Sequence, residues 1–346
     1  MSRHLLALCA AGAFALAASP ANAQIEGIPR YEHIILIIAE NHGYEQIIGN
    51  AGAPNINTLE KKYGLATKYY GVVHPSKANY IAMIAGKTFG IHDDEPYVDH
   101  TISDRSLADQ LKERNLTWKG YYESIPAADP KAVYFPDPNN PVHGQPNYLY
   151  ASKHNAFINF KSVQEDPGFA EKNVGFDRLF SDLASGQFPN YAHIVPNLCN
   201  DMHGMEPGPN VDTDCEFDDN KDTGLITRSD KMIGDLVAKI QGSPIWSKPG
   251  NVAIVITWDE NEDGRTVKGK GCCGYEPNSP ANFGGGQIPT IVVTNHGPRG
   301  VTDPTPHNHY SLLRTTEAAF GITEYLGHAN DTAAGVRTMV KLFAVP

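Results

Sequence analysis

Six stations along the chain carry residues that could do chemistry: Glu40-Asn41, Ser76, Asp201-Met202-His203, Asp259-Glu260 and His309, with Lys153-His154 between them. Carboxylates, a hydroxyl and imidazoles gathered at a sheet edge are the parts that metal-assisted hydrolysis of a phosphate ester requires. Ser76 lies in His74-Pro75-Ser76-Lys77-Ala78-Asn79-Tyr80, which runs into the apolar Ile81 to Ala85, and this pattern predicts a helix starting near Ser76. There its hydroxyl would lie beside unpaired N–H groups and the positive end of the helix dipole, a favourable place for a phosphoryl group. A serine at that position is also an ordinary N-cap. Glu40, Asn41, Asp259 and Glu260 offer hard oxygen ligands to a divalent cation, although carboxylates at strand ends also serve plain turns. Isolated histidines are commonly structural, so the joint arrangement carries the reading.

Those residues need a frame. His33 to Ile38 is a continuous β-branched apolar run of strand length that ends directly in Glu40-Asn41, and Val252 to Thr257 repeats the pattern before Asp259-Glu260. Ala192 to Val195, Pro289 to Val293 and the aromatic Trp118 to Tyr122 are further strand candidates. Met232, Ile233, Leu236, Val237 and Ile240 recur at helical spacing, and Ser106 to Leu111 opens another helical stretch. Strands alternating with helices predict an α/β layered sheet, in which ligands collect at the carboxyl ends of the strands. Irregular excursions are expected near 125–150 and 262–287, where Pro, Gly, Asp and Asn concentrate.

Composition narrows the class. A formal net charge of −11 over 346 residues argues against a nucleic-acid partner, since phosphate backbones reward clustered Lys and Arg. Residues 1–23 read as a signal peptide: a basic start at Arg3, an apolar stretch from Leu5 to Ala18, and Ala21-Asn22-Ala23 before a cut at Gln24. The expectation is a periplasmic or secreted protein with one domain over 24–346 and no integral membrane anchoring. After the cut, Cys199, Cys215, Cys272 and Cys273 remain, an even count that predicts disulfides without choosing among three connectivities. Oligomeric state leaves no trace in the sequence.

The blocks Ala39-Glu40-Asn41-His42-Gly43-Tyr44, His74-Pro75-Ser76, Lys153-His154-Asn155, Asn197 to His203, Ile256 to Asn261 and His309 to Thr315 carry a resemblance. In type and order they are similar to the bacterial phosphoesterase family of exported acid phosphatases and phosphatidylcholine-type phospholipases C, within the alkaline phosphatase superfamily. The resemblance implies an α/β fold with a mixed, mostly parallel central sheet and helices on both faces. It implies a phosphatase acting on phosphate monoesters of a small phosphorylated substrate through a phosphoseryl intermediate. Ser76 would be the nucleophile. Glu40, Asn41, Ser76, Asp259, Glu260 and Asp201 would hold one or two divalent ions, with Mg, Ca, Mn and Zn all open. His203, His309 and His154 would handle protons, and Lys153 and Asn79 would contact substrate. His42-Gly43-Tyr44 departs from the Ser/Phe continuation of many relatives, and no Asp-His pair of the phospholipase type follows Asn261, which weakens the phospholipase reading; a phosphodiesterase or phospholipase C using the same nucleophile is the alternative. Other readings are a metal-free hydrolase with a Ser76, His309, Asp259 triad, and a non-catalytic phospholigand-binding protein.

Overall fold

Seven buried residues in succession, His33–Ala39, form β1, and the same pattern recurs in Val252–Trp258. Such runs have no polar face to give to water and must lie between covering layers. In the computed structural model, which describes residues 24–136, 141–142, 145–146, 148–208, 211–217, 223–261, 271–273 and 284–345, they occupy the centre of one nine-stranded sheet. After β1 come β2 Gly64–Tyr70, β3 Trp118–Tyr122, β4 Tyr134–Phe135, β5 Tyr150–Ala151, β6 Asn173–Val174, β7 Tyr191–Val195, β8 Val252–Trp258, β9 Gln287–Thr294, β10 Val301–Asp303 and β11 His307–Asn308. The order across the sheet is β10-β2-β9-β8-β1-β7-β3-β6, with β11 also on β2, while β4 and β5 form a separate two-stranded ribbon. Pairing is parallel except at β9, which runs antiparallel to both β8 and β2. The expected mixed, mostly parallel sheet is therefore present. Every strand expected from an apolar run forms; β2 was not anticipated, because its sequence GLATKYY starts on glycine and exposes Lys68.

The helices sort into two groups, one for each face. On one side α1 (Pro54–Lys62) packs with the long helix Thr223–Gln241; on the other Ser76–Ala85 (α2) packs with His309–Ala319. We label the last two long helices α3 (Thr223–Gln241) and α4 (His309–Ala319). α3 buries Ile233, Leu236, Val237 and Ile240 at the expected spacing, with Met232 at its margin. It also supplies a cap that α1 lacks. Ala53 cannot accept a hydrogen bond through its side chain, and the Asp230 carboxylate accepts from Asn55 N–H (3.1 Å) and Ile56 N–H (2.8 Å) instead.

Glu317 on α4 has a measurable consequence. It is fully buried; Oε1 accepts from Leu326 N–H at 2.9 Å and Oε2 has no hydrogen-bond partner. Burial pushes its carboxyl from the ordinary 4.5 up to about 8. A raised folded pKa means that the folded state holds the proton more tightly. Its contribution is therefore complete in acid and lost as pH rises from 4.5 towards 8, to a total of about 5 kcal/mol. Glu317→Gln keeps an acceptor for Leu326 and cannot ionise. Thermal melting should show variant and wild type alike at pH 4 and the variant more stable at pH 8; parallel pH profiles would refute the buried acid.

Two disulfides, Cys199–Cys215 and Cys272–Cys273, select one of the three connectivities. The first closes the loop that carries Asp201 and His203. In the 125–150 excursion, β4 pairs with β5 and Pro141–Val142 with Gln145–Pro146. The signal segment 1–23 and most of the 262–287 excursion lie outside the described residues. Among the described residues no helix is long and apolar enough to cross a membrane.

Candidate active site

β1 and β8 pair in register from His33 opposite Val252 to Ala39 opposite Trp258, so Glu40 and Asp259 leave the sheet side by side. Asp259 N–H donates to Ala39 O at 3.1 Å, and Glu40 N–H donates to Asp201 O, beyond β7, at 2.7 Å. The ends of β1 and β8 and the loop that follows β7 are thus bonded at one level. Asn41 adopts φ 47°, a left-handed conformation that asparagine tolerates better than most residues, and its N–H turns back to Asp259 Oδ1 at 3.2 Å.

α2 brings the hydroxyl. Ser76 is its first residue with Pro75 at the N-cap, so the cap reading of Ser76 does not hold: no side-chain cap bond is made. Instead Oγ lies 3.1 Å from Glu40 Oε2, 3.3 Å from Asn41 Oδ1 and 3.4 Å from Glu260 Oε1. One hydroxyl proton cannot satisfy three acceptors. Tyr80, one turn on, donates to Glu40 Oε1 at 2.5 Å.

Glu40, Asp201 and Asp259 are fully buried and Glu260 is nearly so. Burial first, and then mutual repulsion, raises the carboxyls of Glu40, Asp201 and Asp259; burial raises Glu260. Asp259 Oδ2 and Asp201 Oδ2 have no hydrogen-bond partner. With its amide nitrogen turned towards them, Asn41 donates to Glu40 Oε2 (3.0 Å) and Asp259 Oδ1 (3.2 Å). Buried, unpartnered, converging oxygens of this kind fit a divalent ion.

A second group meets the first at Glu40. His154, buried and stacked on Tyr80 at 5.2 Å, has Nε2 3.3 Å from Glu40 Oε1 and Nδ1 3.7 Å from Asp201 Oδ2. His203 Nδ1 lies 2.9 Å from Gly204 O, which leaves Nε2 facing Lys153 Nζ at 3.5 Å. Ligand atoms of Glu40, His154 and His203 fall within 4.8 Å of one another. Asp201 belongs to this histidine side and accepts from His203 N–H at 2.7 Å. Burial, then Lys153, lowers both imidazoles, His203 to about 4.

Two expected roles change. His309 is buried with both ring nitrogens engaged, Nε2 donating to the backbone oxygen of Asp259 (2.7 Å) and Nδ1 accepting from Tyr69 OH (3.2 Å), an arrangement that ties it to Asp259. Asn79 is equally committed: its oxygen accepts from Val72 and Val73 N–H, and its amide donates to Val73 O and Glu260 Oε2 (2.9 Å), which holds the acid rather than substrate. Sequence reasoning assigned nothing to Tyr80, to His74, whose Nδ1 is 3.1 Å from Glu260 Oε2, or to Asp94, which binds Lys153 Nζ at 2.9 Å. His74 and Tyr80 stood inside the Ser76 block and could have been found there; Asp94 gave no signal.

The sequence pattern of the phosphoesterase family matches residues 50–323. The chain belongs to that family. Its members hydrolyse phosphate esters, and so does this protein. It is 25% identical over 295 residues to a phosphatidylinositol-3-phosphatase of Mycobacterium tuberculosis, covering 85% of this chain and 79% of that one. With a phosphate-repressible acid phosphatase of Penicillium chrysogenum it shares 27% identity over 315 residues, covering 90% of this chain and 64% of the relative; the chain thus spans under two thirds of that longer protein. Among solved structures it is similar to an alkaline phosphatase superfamily protein from Vibrio parahaemolyticus (TM-score 0.52, 13% identity, 89% of this chain and 71% of that one). The lipoteichoic acid synthase LtaP from Listeria monocytogenes is comparably similar (TM-score 0.53, 10% identity, 91% and 76%). At such identities the likeness speaks for the fold alone.

Proposed function

We propose that the protein is an exported, metal-dependent phosphatase that hydrolyses phosphate monoesters through a phosphoseryl intermediate. The observation that carries this is the Ser76 hydroxyl, buried at the start of α2 with its Oγ 3.1–3.4 Å from Glu40, Asn41 and Glu260. A divalent cation held by Glu40, Asn41, Asp259 and Glu260 beside Ser76 supplies the positive charge that lowers the hydroxyl pKa and offsets charge on the phosphoryl oxygens. Asp201, His154 and His203 stand ready on the opposite side of Glu40, as ligands or as direct phosphate contacts.

Ser76 Oγ releases its proton to solvent and attacks phosphorus in line, the ester oxygen leaves on the far side, and Oγ takes a proton back when the phosphoserine is hydrolysed. Lys153, paired with Asp94, keeps its ammonium charged and anchors a phosphoryl oxygen. An arriving phosphate adds negative charge beside His203 and raises its proton affinity, so that imidazole delivers the proton to the leaving oxygen. Water then attacks the phosphoserine, with His203 taking a proton back. The relatives named as phosphatases support the monoester choice, and the two disulfides fit export of a chain whose first 23 residues read as a signal.

Turnover of 4-nitrophenyl phosphate should exceed that of bis(4-nitrophenyl) phosphate by at least about 10-fold in kcat/KM, because the diester places a second bulky group among buried side chains. A preference for the diester would replace this reading with a phosphodiesterase.

A further inference from the structure

The ribbon that delivers Lys153 and His154 also carries an aromatic pair. β4 and β5 pair with Tyr134 opposite Ala151 and Phe135 opposite Tyr150, and Leu149 N–H reaches back to Phe135 O at 2.8 Å. The Tyr134 and Tyr148 rings lie together, centroids 4.4 Å apart and planes 31° apart. β5 leads directly into Ser152, whose N–H is tied to Val133 O at 2.7 Å, and then into Lys153. The position of the rings relative to Lys153 is thus built into the ribbon.

Exposure rises outward along this path. Ser76 is 1% exposed, the Lys153 side chain 13%, and both rings are half-buried. Lys153 Nζ touches Asp94 at 2.9 Å and His203 Nε2 at 3.5 Å, and Tyr134 lies opposite Ala151, two residues before Lys153. The pair therefore stands just outside the group that would anchor phosphate, where the alcohol part of an ester emerges. Two half-buried rings beside an otherwise polar centre give that alcohol a stacking surface. The Asp94 carboxylate, 2.9 Å from Lys153 Nζ, opposes a leaving group bearing a second anion.

Resting on the phosphatase reading above, we propose that Tyr134 and Tyr148 form a leaving-group subsite that takes a planar, uncharged aromatic alcohol. The rings contact the substrate and act on specificity; the chemistry stays with Ser76. A stack made before and during the reaction lowers KM more than it raises kcat.

The test is steady-state kinetics of wild type, Tyr134→Ala, Tyr148→Ala and the two Tyr→Phe variants on 1-naphthyl phosphate and on glycerol 2-phosphate, with inhibition by inorganic phosphate measured alongside. Comparing each ester with itself across variants cancels the different reactivity of the two leaving groups. Each alanine variant should lose about 10-fold in kcat/KM on the naphthyl ester, mainly through KM. Glycerol 2-phosphate turnover and the phosphate Ki should stay within about 2-fold, and the phenylalanine variants should behave as wild type. Equal losses on both esters would mean that the rings only support the ribbon, and no loss on either would mean that they touch nothing; both results overturn the subsite. A wild type that hydrolyses neither ester would instead overturn the phosphatase reading, and the subsite with it.

Discussion

Ser76→Ala should lose on the order of 10⁴-fold in turnover of 4-nitrophenyl phosphate while folding as wild type does. The two halves of this expectation have separate causes. Ser76 makes no side-chain cap bond to α2, so removing its oxygen leaves the helix start intact and should change stability by no more than about 1 kcal/mol. Its Oγ contacts are all with Glu40, Asn41 and Glu260, so what disappears is the one hydroxyl at their convergence. Melting temperature and its shift with added Mn²⁺ serve as the controls, since the remaining oxygen ligands persist in the variant. Near-native turnover would show that some other group attacks phosphorus.

Cation removal should abolish activity and make stability strongly pH-dependent. Without a cation, the carboxyls of Glu40, Asp201, Asp259 and Glu260 are raised in the folded protein, burial being the first cause in each. Raised acids stabilise the fold below their unfolded pKa near 4 and cease to do so as pH climbs through their folded values. The metal-free protein should therefore melt at progressively lower temperature between pH 4.5 and pH 7.5. A divalent cation replaces the protons with positive charge and competes with them, so its affinity, and the melting shift that it produces, should grow with pH. At 100 times Kd the stabilisation is about 2.7 kcal/mol. Scanning calorimetry at pH 5, 6 and 7.5, with chelator and then with Mn²⁺ or Mg²⁺, reads this directly. A shift that is constant or larger in acid would contradict the carboxylate site, and activity surviving exhaustive chelation would contradict the cation's role. Glu40→Gln should shrink the shift most, because Glu40 faces both Ser76 and His154.

The strands were legible because a buried parallel strand has no polar face: β1 and β8 announce themselves as unbroken apolar runs, and the acids at their ends are conspicuous by contrast. β2 was not legible, since a short strand with one exposed lysine reads like any loop. Ser76, Glu40, Asn41 and Glu260 were named from the sequence and lie together. Asp201 and His203 were legible as a pair because one short loop carries both, and Asp201 Oδ2 lies 3.7 Å from His154.

Residue types and their placement at strand and helix ends, which depend on neighbours within a few positions, determined from sequence alone that this chain carries an oxygen-rich, hydroxyl-bearing site on an α/β sheet. Where each imidazole and carboxamide points was decided only by the tertiary structure. His309 turns to a carbonyl 50 positions away and to Tyr69, 240 positions away, and Asn79 to Glu260 across 181. Hydrogen bonds of that reach form only after the sheet has brought the strand ends to one level, so no local pattern encodes them.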